Sequence, residues 1–170
     1  MPTFQDDGDF VHALGFVAAF AAYMEFALED FAKAVSSAVS TGGKKSDRYK
    51  VTLQARQLRE VLRKFYQEYD GDEFPGQEFE AVSSLLDDVL VAQGQRNQVL
   101  HAAYYIHREM EARENEGVAR HNKEGKGLVT SRELYDLSRR LNHLEQNLGI
   151  HQMRFLHSAK ALAAAKMTTE

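Results

Sequence analysis

Arg96, Asn97 and His101 are the residues of this chain whose types and spacing could do chemistry. Arginine carries a planar cation that is always charged and matches the oxygens of a phosphate. Histidine is the side chain whose ordinary pKa lies nearest neutrality, so it can both take and give a proton. An amide between them can orient the imidazole or bond to a phosphate oxygen. Beside an RNA backbone this set could move a proton and hold phosphoryl charge. The same residues serve equally well as a half-buried histidine bonded to its neighbours and an arginine on the rim of a helical core. The chain has seven histidines, so a short pattern of this kind also arises by chance.

On a regular helix, residues five apart are separated by roughly 140° around the axis, whereas residues four apart share a face. Asn97 and His101 are thus expected on one face, with Arg96 turned away. Two arrangements would bring Arg96 back. It could sit in a turn after Gly94, at a helix N-terminus whose free amides also suit phosphate, or a second subunit could complete the site.

The composition frames what surrounds these residues. A chain of 170 residues can build one domain with its own core. Two prolines and abundant Ala, Leu, Glu and Gln favour helix. A formal net charge of −4 means that any nucleic-acid role needs a local basic patch. There is no cysteine, which excludes disulfides, thiolate metal sites and cysteine nucleophiles. The most apolar segment, residues 10–23, follows Asp6, Asp7 and Asp9, the wrong sign for a secretory leader. It is shorter than a membrane span and is closed by Glu25, Glu29 and Asp30, so a core helix and a cytoplasmic protein are expected.

Helical periodicity supplies the elements that would position the motif. Asp9 is the expected N-cap of a first helix running to about Ser40, with Phe16, Phe20, Tyr23, Ala27 and Phe31 facing inward. Thr41 to Lys45, with two glycines, stops it. A second helix spans about Asp47 to Tyr69 through Leu53, Leu58, Val61, Leu62 and Phe65. A turn-rich break over Asp70 to Gly76 precedes a third helix carrying Phe79, Val82, Leu85, Leu86, Val89 and Leu90. Gly94 either ends that helix or bends it, and residues 96–107 can continue as helix.

Residues 108–127 are charged and glycine-bearing, too polar for a core helix. A short strand at Val118 to Arg120, pairing near Tyr104 to Ile106, is the expectation there. Thr130-Ser131-Arg132-Glu133 reads as a capping box opening the last helix. Leu134, Leu137, Leu141, Leu144 and Leu148 form its apolar stripe, which His151 and Phe155 extend. The fold expected is all-α: one domain over residues 1–170, a four-helix bundle with a small irregular or β-hairpin insertion before the last helix. A sheet of three or more strands lies outside this expectation.

Metal chemistry finds no support. No histidine has a glutamate three positions before it, and His143, His151 and His157 are spaced too widely for a close pair. No metal and no cofactor is expected.

The segment Arg96-Asn97-Gln98-Val99-Leu100-His101 resembles the motif of HEPN domains: arginine, four to six residues, histidine, with a polar residue favoured directly after the arginine. The layout is similar as well, with a long apolar helix bearing an early acidic residue and then the motif two helices later. Many relatives read His-Gly where this chain reads His101-Ala102. The resemblance implies a small helical bundle. It implies a metal-independent ribonuclease of the kind found in toxin–antitoxin, abortive-infection and CRISPR systems. It also implies paired motifs across a homodimer, with an antitoxin or other regulatory protein as a further partner. On that reading His101 acts as general acid–base, Arg96 stabilises the phosphorane, and Asn97 orients His101 or bonds to the phosphate. RNA would be cleaved through a 2′,3′-cyclic phosphate. Glu25 reaches toward His101 and tunes it, or else simply lies on a solvated face. Tyr104 and Tyr105 stack on a base or pack in the fold. Two alternatives share the sequence evidence: the same fold without catalysis, as a binding or dimerisation module, and a helical regulator binding a partner protein through the leucine seam.

Overall fold

A computed structural model describes residues 7–38, 51–67, 73–101, 103–105, 118–122 and 125–168. Four helices dominate it: α1 (Asp7–Ala38), α2 (Val51–Gln67), α3 (Glu73–Leu100) and α4 (Ser131–Thr168). Among the described residues, three short strands lie between α3 and α4: β1 (Ala103–Tyr105), β2 (Val118–Asn122) and β3 (Gly125–Val129). They form an antiparallel sheet in the order β1-β2-β3, with Tyr104 opposite Arg120 and Arg120 opposite Gly127. A three-stranded sheet departs from the sequence expectation. Gly125 and Gly127, in the segment read as irregular or hairpin, both belong to β3.

The chain divides into two compact units. The first holds Met1–Tyr23 and Val91–His143, the second Met24–Leu90 and Leu144–Glu170. In the first, Phe10, Ala13, Val17 and Ala21 of α1, Ala92 and Val99 of α3, and Leu134 and Leu141 of α4 are buried. Phe16 meets Tyr135 with ring centroids 6.1 Å apart. In the second, the ring of Phe155 of α4 lies 6.3 Å from Phe31 of α1 and 4.9 Å, edge-on, from Phe65 of α2. Val82, Leu86 and Val89 bring α3 into the same core. Each such side chain contributes about 1.5–3 kcal/mol by leaving water. Arg59 of α2 ties α2 to α3 at the surface, donating to the Ser83 carbonyl at 2.8 Å and to Asp87 at 2.5 Å.

The capping box is built as its sequence requires. The Glu133 amide donates to Thr130 Oγ1 at 3.1 Å, and the Thr130 amide donates back to Glu133 Oε2 at 2.8 Å. Along α4, Leu134, Leu141, Leu144, Leu148 and Phe155 are buried.

Four expectations need correction. The buried stripe of α1 is Phe10, Ala13, Val17, Ala21, Met24, Leu28, Phe31 and Val35, whereas Phe16 and Tyr23 are exposed. The helix is apolar on two sides, and spacing alone does not say which side meets the core. The apolar segment read as shorter than a membrane span belongs to a helical stretch, Phe10–Ala38, with the length and hydropathy to cross one; eight positions of α1 are buried. Leu53 of α2 is exposed. Finally, α3 begins at Glu73, inside the segment read as a break, because proline is tolerated in a first helical turn, where its missing amide costs nothing. Thr41 to Lys45 and the ends of the second helix expected at Asp47 and Tyr69 lie outside the described residues.

Candidate functional site

The motif occupies the last turn of α3. The helix runs through Gly94 without a break and stops at Leu100, leaving His101 in a turn before β1. Gly94 sits on an open side of α3, where an added Cβ would meet nothing within 4 Å. Of the two arrangements that would turn Arg96 toward Asn97 and His101, the helix N-terminus after Gly94 is not formed; the motif lies at a helix C-terminus instead. Such an end presents carbonyls rather than amides, and its dipole favours cations over anions. A phosphate at this turn must be held by side chains.

Two of those side chains, Arg96 and Asn97, meet. Arg96 is half-buried and its Nη1 donates to Asn97 Oδ1 at 2.9 Å. Asn97 is exposed, and one turn later the His101 amide donates to the Asn97 carbonyl at 3.1 Å. His101 is itself exposed. The arginine side chain reaches the adjacent Asn97. Asn97 and His101 are exposed and Arg96 is half-buried, so the guanidinium and amide are joined side chain to side chain, whereas His101 is joined to Asn97 through the backbone.

A cleft of about 430 Å³ lies in the same unit. Gln95, Gln98 and Val99 of α3 line it, together with Asp136, Leu137 and Arg140 of α4. Arg140 donates to Gln95 at 3.4 Å across it. Gln95, Gln98 and Val99 recur at three- and four-residue steps, so the cleft opens on a different face of α3 from Asn97 and His101. None of the three motif residues lines it.

Glu25, the expected tuning residue, belongs to the second unit and is half-buried on α1. The side chains of Tyr104 and Tyr105 lie outside what the structure describes.

The second unit holds a charged cluster that sequence reasoning passed over. Glu78 of α3 is 5% exposed, and its two oxygens are shared: Oε1 meets His151 Nδ1 at 2.5 Å, and Oε2 accepts from Arg154 Nη1 at 3.3 Å. A carboxylate taken from water needs such partners. The signal was present in the sequence. Glu78 falls four residues before Val82, on the buried stripe of α3, and His151 interrupts the leucine stripe of α4. A polar residue in each of two apolar stripes points to a buried pair.

With the geometry known, the chain was compared with protein-family models, curated proteins and solved structures. None matches.

Proposed function

We propose that this chain is a HEPN-like helical protein that cleaves RNA without a metal, with Arg96, Asn97 and His101 as its catalytic set. The observation that carries the reading is the Arg96–Asn97 hydrogen bond beside an exposed His101. It supports the reading by fixing a phosphate-binding cation within a turn of an exposed histidine. His101 takes the proton from the RNA 2′-hydroxyl as that oxygen attacks the adjacent phosphorus. Arg96 stabilises the charge that builds on the phosphoryl oxygens. The 5′-oxygen leaves with a proton from His101 or from water, and a 2′,3′-cyclic phosphate remains. Asn97 holds the guanidinium in place and offers its amide nitrogen to the phosphate. The sheet-bearing segment before α4 is, on this reading, the insertion in the bundle. A place in a toxin–antitoxin or phage-defence system, in the cytoplasm and with an antitoxin as partner, belongs to the same proposal.

The experiment is incubation of the purified protein with single-stranded RNA in EDTA. Cleavage leaving cyclic-phosphate ends is the expected result, and Arg96→Lys should remove it because a point charge does not reproduce planar, two-point phosphate contact. Intact RNA would overturn the proposal.

The same fold without catalysis has one observation in its favour. The motif sits at the carbonyl end of α3, where the helix dipole disfavours an anion. On that reading Arg96 and Asn97 close the helix end, and the protein acts as a binding or dimerisation module.

A further inference from the structure

The charge of this chain is unevenly spread. Residues 44–64 hold eight of its 21 lysines and arginines but only two of its 25 acidic residues. In a protein of formal net charge −4, that run is the local basic patch that a polyanion requires. Four of the eight cations, Arg56, Arg59, Arg63 and Lys64, lie on α2. The helix buries Ala55, Leu58, Leu62, Phe65 and Tyr66, so its basic side is turned outward. Arg56, Arg63 and Lys64 are exposed.

The anions on this side are few. Glu60 is the one acidic residue of α2 and serves two cations at once, Arg63 at 2.8 Å and Lys64 at 3.6 Å. Asp87 of α3 reaches α2 as well, and Arg59 takes it while also donating to the Ser83 carbonyl. Among the described residues Arg56 has no ion pair. The surplus of positive charge therefore rests on Arg56, Arg63 and Lys64.

We propose that this face of α2 binds the phosphate backbone of single-stranded RNA. Two of its three cations are arginines, whose planar fork matches two phosphate oxygens at once. Arg56 and Arg63 are two turns apart on one face, about 10 Å at 1.5 Å per residue. That is the rise of about three stacked nucleotides at 3.4 Å each. A lipid surface fits less well. Helices that lie on membranes insert an apolar face, and α2 has buried its own in the core, with Leu53 alone left well exposed.

The inference rests on RNA being the ligand, as in the proposed function, and adds where the affinity comes from. The motif belongs to the first unit and α2 to the second, so the basic face contributes binding and not chemistry.

The test uses a 2′-O-methyl oligoribonucleotide. It lacks the hydroxyl that cleavage needs, so binding is read whether or not the protein cuts RNA. Fluorescence anisotropy in increasing potassium chloride should give an affinity that falls with salt. Three phosphate contacts on a single strand contribute a slope of about −2 in log K against log salt, at roughly −0.7 each. The triple variant Arg56→Gln, Arg63→Gln, Lys64→Gln should flatten the slope by that amount and weaken binding about tenfold at low salt. Its circular dichroism should match wild type, because glutamine forms helix about as well as arginine and lysine and all three positions are exposed. Glu60→Gln should do the reverse and tighten binding about two- to fivefold, the scale of one exposed charge pair. A merely solvated face leaves both measurements unchanged. No binding at low salt, or a triple variant with the wild-type slope, overturns the inference, and so does a Glu60→Gln protein whose affinity is unchanged or weaker. Flotation with phosphatidylcholine–phosphatidylserine vesicles that the triple variant loses while keeping its RNA affinity assigns the face to a membrane and overturns it too. Binding with the expected slopes, but with unmodified RNA left intact in EDTA, supports the face and removes only the ribonuclease reading.

Discussion

Two histidines of this chain stand next to charged or polar partners, in opposite surroundings. His151 is largely buried in the second unit, its Nδ1 2.5 Å from a carboxylate that is itself 5% exposed and shared with Arg154. His101 is exposed in the first unit, at the end of a helix, one turn from an asparagine already engaged by Arg96. The buried set is satisfied by its own members, so its role is to hold α3 against α4. The exposed set keeps its imidazole available to solvent. Chemistry on an external phosphate requires the second arrangement, and packing requires the first. Burial, rather than residue type, separates the two roles.

Mutations should follow that division. The largest loss of stability is expected at the aromatic centre of the second unit. Phe155→Ala removes a fully buried ring that touches α1 and α2, and should cost about 3–5 kcal/mol by urea denaturation. Glu78→Ala comes next. It leaves His151 facing an uncompensated buried space and should cost about 3 kcal/mol, while leaving any RNA cleavage unchanged in rate where the protein is folded. A loss of cleavage in folded Glu78→Ala would break the distinction between the two histidines.

Smaller effects sharpen the comparison. Thr130→Ala removes the cap of α4 and should cost about 1 kcal/mol in the denaturation midpoint. Smallest is the surface pair on α2. The hydrogen bonds from Arg63 hold the Glu60 carboxyl below its ordinary value. The sign of that contribution is stabilising above the usual carboxylate range and lost as pH falls through the lowered value. Both groups are fully exposed, and screening should leave Glu60→Gln with the wild-type denaturation curve at neutral pH.

What the sequence made legible divides along physical lines. The start of α4 and its leucine stripe were readable because a cap and a 3–4 period are local signals, satisfied within a few residues of one another. The phase of α1 was not, because two of its sides are apolar and only the partner helices select one. The end of α3 was left open for a related reason. Gly94 looks like a stop, yet a glycine costs a helix interior only about 1 kcal/mol, which burial of Val89, Ala92 and Val99 on either side of it offsets. The third strand escaped notice because Gly125-Lys126-Gly127-Leu128-Val129 has almost no strand composition, and its pairing with β2 supplies what propensity lacks. At the motif, helix geometry relates Asn97 to His101 only as far as the helix runs, and α3 ends at Leu100. The reach of Arg96 around to Asn97 depends on its side-chain conformation, which spacing does not encode.

The most direct test of the central claim, that the exposed histidine is chemical and the buried one structural, is the rate of RNA cleavage by His101→Ala in EDTA, measured alongside its unfolding curve. The account predicts a loss of about 10²–10⁴-fold, the usual scale of general acid–base catalysis, with stability within about 0.5 kcal/mol of wild type because His101 is exposed. Cleavage at the wild-type rate, or a variant that unfolds, would contradict it.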